Sequence, residues 1–215
     1  YDEVLFYEFI QFILKKQYEK LRAYAKEKGV KILGDLPLYV AGDGEEVWRD
    51  PSVFLLDENL NPEKVAGVPP DYFSADGQLW GNPVYNYAAM NRNDYRWWKN
   101  RLHFVLSRYD YLRIDHFRGL DRYWAIPNGE KAINGEWEKA DGFDILKNIP
   151  NNRLIAEDLG VIDDGVINLM KRLDLRGMKV LLFAFNGDKN NPYLPENVDE
   201  KSVSYIGTHD NDTAV

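Results

Sequence analysis

The stretch YLRIDHFRGL (residues 111–120) places charged side chains directly after a short apolar run. Arg113 and Asp115 are two residues apart, so in an extended strand both side chains point to the same side. Charged side chains are costly in the interior of a sheet unless they are paired or used in chemistry. The stretch therefore predicts a strand whose carboxyl end carries a functional site.

Four further apolar segments have the length and composition of strands. Together with the first stretch, the predicted strands lie in VKILGDLPLYV (30–40), YLRID (111–115), RLIAEDLG (153–160), MKVLLFAF (178–185) and SVSYIGTHD (202–210). Helical patterns precede most of these segments. This alternation is typical of a parallel sheet built from right-handed crossovers.

The helices are predicted from apolar positions that recur at steps of three and four residues. They are expected at 4–28 with Gly29 as a stop, around 95–109, as a short helix in FDILKNI (143–149), and at 166–173 with Asp163 or Asp164 as the cap.

Three of the strands end in acidic or imidazole residues, in RIDH, AEDLG and GTHD. Both a (β/α)₈ barrel and a doubly wound open sheet bind ligands at the carboxyl ends of their strands. No glycine-rich phosphate turn follows any strand, which favours the barrel.

A closed barrel of this type has eight strands and about 250 residues, whereas these 215 residues show only five strand segments. We therefore expect an α/β fold, a partial (β/α)₈ TIM barrel with long βα loops. Residues 1–215 are expected to be an internal fragment of a single catalytic barrel domain whose flanking strands are missing. The opening at Tyr1 in place of Met agrees with that expectation.

Composition limits the possible partners. A net charge of -8 argues against nucleic acid and against an anionic membrane surface. No run approaches the roughly 18 apolar residues of a membrane helix. The absence of Cys excludes disulfides, zinc thiolate sites and thiol nucleophiles, and it fits a cytoplasmic protein.

The long segment 41–90 carries little regular pattern and is rich in aromatic residues, within VAGVPPDYFSADGQLWGNPVY (65–85). Loops of that length inside a compact domain are usually functional or disordered, and the prolines disfavour disorder. One interpretation is a lid packed by its own aromatic side chains. The other is a sugar-binding surface, because aromatic faces stack on sugar rings while nearby polar groups bind hydroxyls.

Three carboxylates, Asp115, Glu157 and Asp210, are predicted to converge at one rim of the sheet. Carboxylates that share a site repel one another, so one of them holds its proton tightly and can act as a general acid. A nucleophile, an acid and a further carboxylate are the groups needed to cleave a glycosidic bond with retention. Asp158 is a local rival of Glu157, and strand alternation alone does not separate the two.

Other chemistries have weaker support in the sequence. The histidines His103, His116 and His209 form no H-x-H or H-E-x-x-H motif, which argues against a catalytic zinc centre. His103 falls inside a predicted helix and is expected to be structural, whereas spacing leaves a structural or a ligand-binding role open for the other two. No G-x-S-x-G turn exists for a serine nucleophile.

Five motifs in this order carry a family resemblance: GDLPLYVAGDGEEVW, VAGVPPDYFSADGQLWGNPVY, LRIDHFRGL, AEDLG and GTHDNDT. The chain resembles, over nearly its whole length, the 4-α-glucanotransferases called amylomaltase or disproportionating enzyme, which form glycoside hydrolase family 77. The resemblance covers the third to the seventh barrel strand. It implies transfer of α-1,4-glucan segments between maltooligosaccharides, or chains derived from starch or glycogen, by a retaining double displacement. It also implies that neither a metal nor an organic cofactor takes part.

The resemblance also implies roles for single residues. Asp115 matches the nucleophile that forms a covalent glucosyl-aspartate, Glu157 the acid/base, and Asp210 the third carboxylate. Arg113 and His209 match residues beside the reacting sugar, and Asp35 matches a position in the cleft. The complete set of expected substrate-binding residues is Arg113, His209, Asp35, Tyr72, Phe73, Trp80, Asn82 and His116.

Two alternatives remain at this point. An α-amylase-type retaining glucan hydrolase would use the same carboxylates. A glucan-binding fragment without turnover would keep the groove but not the activity.

Overall fold

The computed structural model describes residues 2–71, 74–160, 162–209 and 211–213. The fold is mixed α/β, with parallel and antiparallel sheets. The helices are α1 (Asp2–Glu27), α2 (Glu45–Arg49), α3 (Tyr87–Asn91), α4 (Arg96–Leu106), α5 (Gly142–Leu146) and α6 (Asp164–Leu173). The strands are β1 (Leu33–Leu36), β2 (Lys64–Val68), β3 (Gln78–Pro83), β4 (Tyr111–Ile114), β5 (Arg122–Pro127), β6 (Glu136–Lys139), β7 (Leu154–Ala156), β8 (Gly177–Val180) and β9 (Ser202–Tyr205).

The parallel strands follow one another in chain order. One sheet has the order β1-β4-β7, and β8 pairs with β9 in a second parallel ladder. In the described part of the chain, a parallel bridge between Ile155 and Arg176 connects the two ladders. Each of the five segments predicted as a strand overlaps one of these strands, so the presence of the strands is confirmed. In the segment 178–185, however, the strand β8 ends at Val180, and Leu181–Ala184 form a 3-10 helix.

The helix predictions are also confirmed. α1 ends two residues before Gly29, which has a positive φ of 71°. α4, α5 and α6 fall where the apolar spacing predicts them. Asp163, not Asp164, caps α6, because its side chain accepts hydrogen bonds from the N–H groups of Gly165 and Val166.

The prediction that residues 41–90 form a long loop with little regular structure is wrong. The segment contributes β2 and β3 to a four-stranded antiparallel sheet with the order β3-β2-β5-β6. Strand β5, which pairs with β2, lies more than fifty residues further along the chain than β2. No pattern among neighbouring residues therefore indicates this pairing. A register shift between Val65 and Gly67 breaks the alternation further. Gly67 itself is required there, since an added Cβ would lie 2.1 Å from the carbonyl oxygen of Gln78.

The main core contains side chains from the parallel strands β1, β4 and β7, from β2 and β5 and from helices α2 to α6, with Trp98, Phe117 and Leu112 among those that are buried. The ring of Tyr109 packs directly against the backbone of Gly34 in β1. A Cβ on Gly34 would lie 2.2 Å from that ring, which explains the glycine at this position.

Helix α1 is different, because none of its described residues is buried. It is tied to the segment after α4 through Tyr18, whose hydroxyl donates to the carbonyl oxygen of Arg108 at 3.0 Å. Its first turns carry exposed apolar side chains, among them Phe6, Phe9 and Phe12. No helix in the described part of the chain is both long enough and apolar enough to cross a membrane.

Candidate active site

Arg113 lies between two carboxylates. Its Nε and Nη2 atoms donate to the two oxygens of Asp35, both at 2.8 Å, and Nη2 also lies 2.9 Å from Oδ1 of Asp115. The parallel register places Asp35 directly opposite Arg113, and alternation along the chain brings Asp115 to the same side. The predicted pairing of Arg113 with Asp115 is therefore present. The ion pair favours the ionised form of the carboxylate, which stays about half exposed at 44%.

Glu157 follows β7 and is held by two backbone donors. The N–H of His116 donates to Oε2 at 2.9 Å, and the N–H of Leu159 donates to Oε1 at 3.1 Å. Burial raises the pKa of Glu157 to about 7, and the charge of Asp115 adds to that effect. The two N–H donors and the charge of Arg113 act in the opposite direction. A carboxyl group with a pKa near neutrality suits general acid and base catalysis, since both protonation states are accessible.

The structure separates Glu157 from its rival, Asp158. The carboxylate of Asp158 points to β8, where Oδ1 accepts from the N–H of Met178 at 2.6 Å and Oδ2 lies 3.1 Å from Nζ of Lys179. Both partners of Asp158 are thus on β8, whereas Glu157 is bonded beside β4. Only Glu157 faces the Arg113–Asp115 pair.

Trp80 and His116 bring the second sheet to the same place. Their rings are in edge contact at 4.7 Å between centroids, and the ring of Tyr39 lies 6.4 Å from that of His116. Burial, with a further effect from the charge of Arg118, lowers the pKa of His116 to about 4. The imidazole is therefore neutral near pH 7. His116 also has a left-handed backbone, with φ at 49°, and its N–H donates to Glu157.

The remaining predicted residues fall into three groups. His209 lines a cavity of about 230 Å³ together with Asp35 and Arg113. The side-chain amide of Asn82 donates to the carbonyl oxygen of Val40 at 2.8 Å, which ties β3 to the segment after β1. The predicted residues outside the described part of the chain are Tyr72, Phe73 and Asp210.

Sequence reasoning did not select Tyr39 or Tyr205 as site residues. Tyr39 contacts the rings of Trp80 and His116, and Tyr205 lines the cavity that contains Asp35 and Arg113. The only signal available for them was their place in or just after segments predicted as strands. The described residues contain no group of three His, Cys, Asp or Glu side chains that could hold a metal ion.

The chemical capacity of the site follows from these contacts. An Arg-paired carboxylate that is partly open to solvent lies near a half-buried carboxyl group whose pKa is raised to about 7. Two carboxyl groups with such different environments can divide the roles of nucleophile and proton donor.

Comparisons with known proteins show the family of the chain. A family model described as 4-alpha-glucanotransferase, that of glycoside hydrolase family 77, matches residues 1–215. A 4-alpha-glucanotransferase of Aquifex aeolicus is 49% identical over 210 residues, which cover 95% of this chain and 43% of that protein. A 4-alpha-glucanotransferase of Clostridium butyricum is 45% identical over 218 residues, which cover 99% of this chain and 45% of that protein. The chain thus spans less than half the length of these relatives.

Solved structures show the same relationship. An amylomaltase from Streptococcus agalactiae in complex with acarbose superposes with a TM-score of 0.89 at 40% identity, covering 94% of this chain and 42% of that one. An amylomaltase from Corynebacterium glutamicum has the same fold, with a TM-score of 0.83 at 24% identity over 96% of this chain and 30% of that one. Because the family model matches the chain from end to end, the chain belongs to the 4-alpha-glucanotransferase family, glycoside hydrolase family 77.

Proposed function

We propose that the protein containing this chain transfers α-1,4-glucan segments between maltooligosaccharides through a covalent glucosyl-Asp115 intermediate. The observation that carries the proposal is the unlike pair of carboxyl groups. Asp115 is paired with Arg113, whereas burial raises the pKa of the half-buried Glu157 to about 7. Family membership and the acarbose complex of the Streptococcus agalactiae amylomaltase support glucan as the substrate class.

In the first step Glu157 gives its proton to the glycosidic oxygen while a carboxylate oxygen of Asp115 attacks the anomeric carbon. The glycosidic bond breaks, and the leaving chain departs with a free hydroxyl group. In the second step the ionised Glu157 removes the proton from an acceptor sugar hydroxyl, which attacks the same carbon and releases Asp115. Two inversions at one carbon give net retention.

Arg113 and Asp35 form a bidentate pair that fixes the guanidinium beside Asp115. We assign Asp210 as the third carboxylate on the strength of its sequence motif. The substrate-binding roles of His209, Tyr72 and Phe73 are proposals of the same kind.

For the architecture, we propose that the five parallel strands are the third to the seventh strands of a (β/α)₈ barrel. Residues 1–215 would then be an internal part of one catalytic domain. The chain-order arrangement of the parallel strands supports this proposal, as does the coverage of less than half of each relative.

The pH dependence of the full-length protein tests the role of Glu157. The first step requires a protonated Glu157, so kcat/KM is expected to fall as pH rises through about 7. This fall forms the basic limb of the pH–rate profile. His116, with a pKa of about 4, is neutral both below and above the pH of that limb. A pH–rate profile measures the limb, and in Glu157→Gln the limb should be absent. A limb that persists unchanged in that variant would assign the titration to another group.

The choice between transfer and hydrolysis depends on what attacks the intermediate. Given maltotriose, the full-length protein should produce glucose and a ladder of longer maltooligosaccharides, with little gain in reducing ends. The α-amylase-type hydrolase remains the second candidate, because it would use the same carboxylates. Reducing ends released from the first minutes, with no product longer than the substrate, would favour that hydrolase.

In segment 65–85, Trp80 is the described aromatic residue whose ring contacts His116. A stacked ring can orient an acceptor sugar and exclude water. Trp80→Ala should therefore raise the ratio of hydrolysis to transfer several-fold, whereas Trp80→Phe, which keeps a flat ring, should stay near the unaltered protein. Product analysis by chromatography gives the ratio. Equal ratios in the two variants would contradict a stacking role.

A further inference from the structure

The ladder between β7 and β8 is short. The described backbone pairing between them is the bridge of Ile155 and Arg176, with the N–H of Ala156 donating to the carbonyl oxygen of Arg176 at 2.8 Å. In a parallel ladder the next bond would run from the N–H of Met178 to the carbonyl oxygen of Ala156. That N–H instead donates to Oδ1 of Asp158 at 2.6 Å. A side-chain carboxylate thus replaces the backbone acceptor.

This contact depends on a space that β8 provides. An added Cβ on Gly177 would lie 2.6 Å from Oδ2 of Asp158 and 2.8 Å from its carboxyl carbon. Only glycine at position 177 therefore lets the carboxylate reach the strand. Nζ of Lys179 lies 3.1 Å from Oδ2 of Asp158 and balances the negative charge of the carboxylate. The side chain of Asp158 is only 11% exposed and that of Lys179 only 17%.

The neighbours of Asp158 belong to the same arrangement. The N–H of Glu157 donates to the carbonyl oxygen of Ile114, which fixes one side of the turn to β4. The N–H of Leu159 donates to Oε1 of Glu157, on the other side of Asp158. The orientation of the Glu157 carboxyl group therefore depends on a turn that is anchored at Glu157 to β4 and at Asp158 to β8.

We propose that Asp158, seated against Gly177 and paired with Lys179, is a positioning residue that holds the turn 157–159 so that Leu159 keeps its hydrogen bond to Glu157. The proposal rests on the acid/base function proposed for Glu157. It gives Asp158 a role that is distinct from proton transfer, and it explains why two adjacent carboxylates end β7.

The test uses Asp158→Ala and Gly177→Ala in the full-length protein. Each variant should lower kcat about a hundred-fold, because a small displacement of a catalytic group has effects of that size. The basic limb of the pH profile should move to higher pH, since the lost Leu159 donor no longer favours the ionised carboxylate. The charged or titratable groups that act on Glu157 include Asp115, Arg113 and Tyr193, and neither variant changes them.

Two further variants serve as controls. Asp158→Asn keeps an acceptor for the N–H of Met178 and should recover most of the rate. Lys201→Met breaks the exposed pair with Asp174 and should change neither kcat nor the limb. Circular dichroism would check that all four variants fold, and Asp158→Asn retains its diagnostic value if Gly177→Ala does not fold.

A direct titration separates this proposal from the proposed function. The carboxyl ¹³C resonance of Glu157, assigned by its loss in Glu157→Gln, should titrate at a higher pH in Asp158→Ala than in the unaltered protein, with or without turnover. An unchanged titration together with an unchanged kcat would overturn the positioning role alone. Recovery of Asp158→Ala by azide would also overturn it, because that result would make Asp158 the acid/base itself.

Discussion

Asp115→Asn in the full-length protein is expected to lower the rate of glucan transfer roughly 10⁴-fold, a loss typical of removing a nucleophile. The amide has nearly the same size as the carboxylate but lacks the charge that attacks the anomeric carbon. The bidentate bonds between Arg113 and Asp35 do not involve Asp115, so the surrounding structure should persist. Initial rates with maltotriose, measured beside thermal unfolding, separate the loss of chemistry from a loss of fold.

Asp144→Asn is the matched control, since Asp144 pairs with Lys147 on the surface of α5, and its rate should be unchanged. An activated fluoro-sugar, which slows the second step, should leave a glucosyl label on Asp115 of the unaltered protein. Peptide mass spectrometry locates the label. Its appearance on Asp210 would exchange the two roles.

Glu157→Gln is expected to have the second largest effect, a loss of about 10²–10⁴-fold with natural glucans. The glutamine amide can neither protonate the leaving oxygen nor deprotonate the acceptor. A substrate with a good leaving group needs no proton, so its first step should be nearly unaffected. Azide needs no base and should restore part of the second step as a glucosyl azide product.

Asp158→Asn provides the comparison for this experiment. The carboxylate of Asp158 faces Met178 and Lys179 on β8, so azide should not increase the rate of this variant. Azide rescue of Asp158→Asn in place of Glu157→Gln would transfer the acid/base role to Asp158. The adjacent positions make the pair a sharp test, because both variants make the same chemical change one residue apart.

Local pattern was sufficient for much of this molecule. Short apolar runs marked the five parallel strands, apolar spacing marked the helices, and the two-residue step from Arg113 to Asp115 predicted their shared side. These features depend on residues near one another in the chain, where the periods of strand and helix act directly.

The antiparallel sheet could not be predicted in this way. Pairing of β2 with β5 joins segments about sixty residues apart, and a bulge beside Gly67 interrupts the alternation that would mark a strand. The same limit applies to the bidentate contact between Arg113 and Asp35, which joins residues 78 positions apart.

Tertiary structure alone decided the electrostatics of the site. The sequence by itself determined that carboxylates follow the strands and that an arginine accompanies one of them. Strand alternation did not decide between Glu157 and Asp158, and only the resemblance to a known family favoured Glu157. Burial of Glu157 raises its pKa to about 7, while Asp158 pairs with Lys179. Burial and charge pairing are sums over neighbours from several distant segments, so they exist only once the chain has folded.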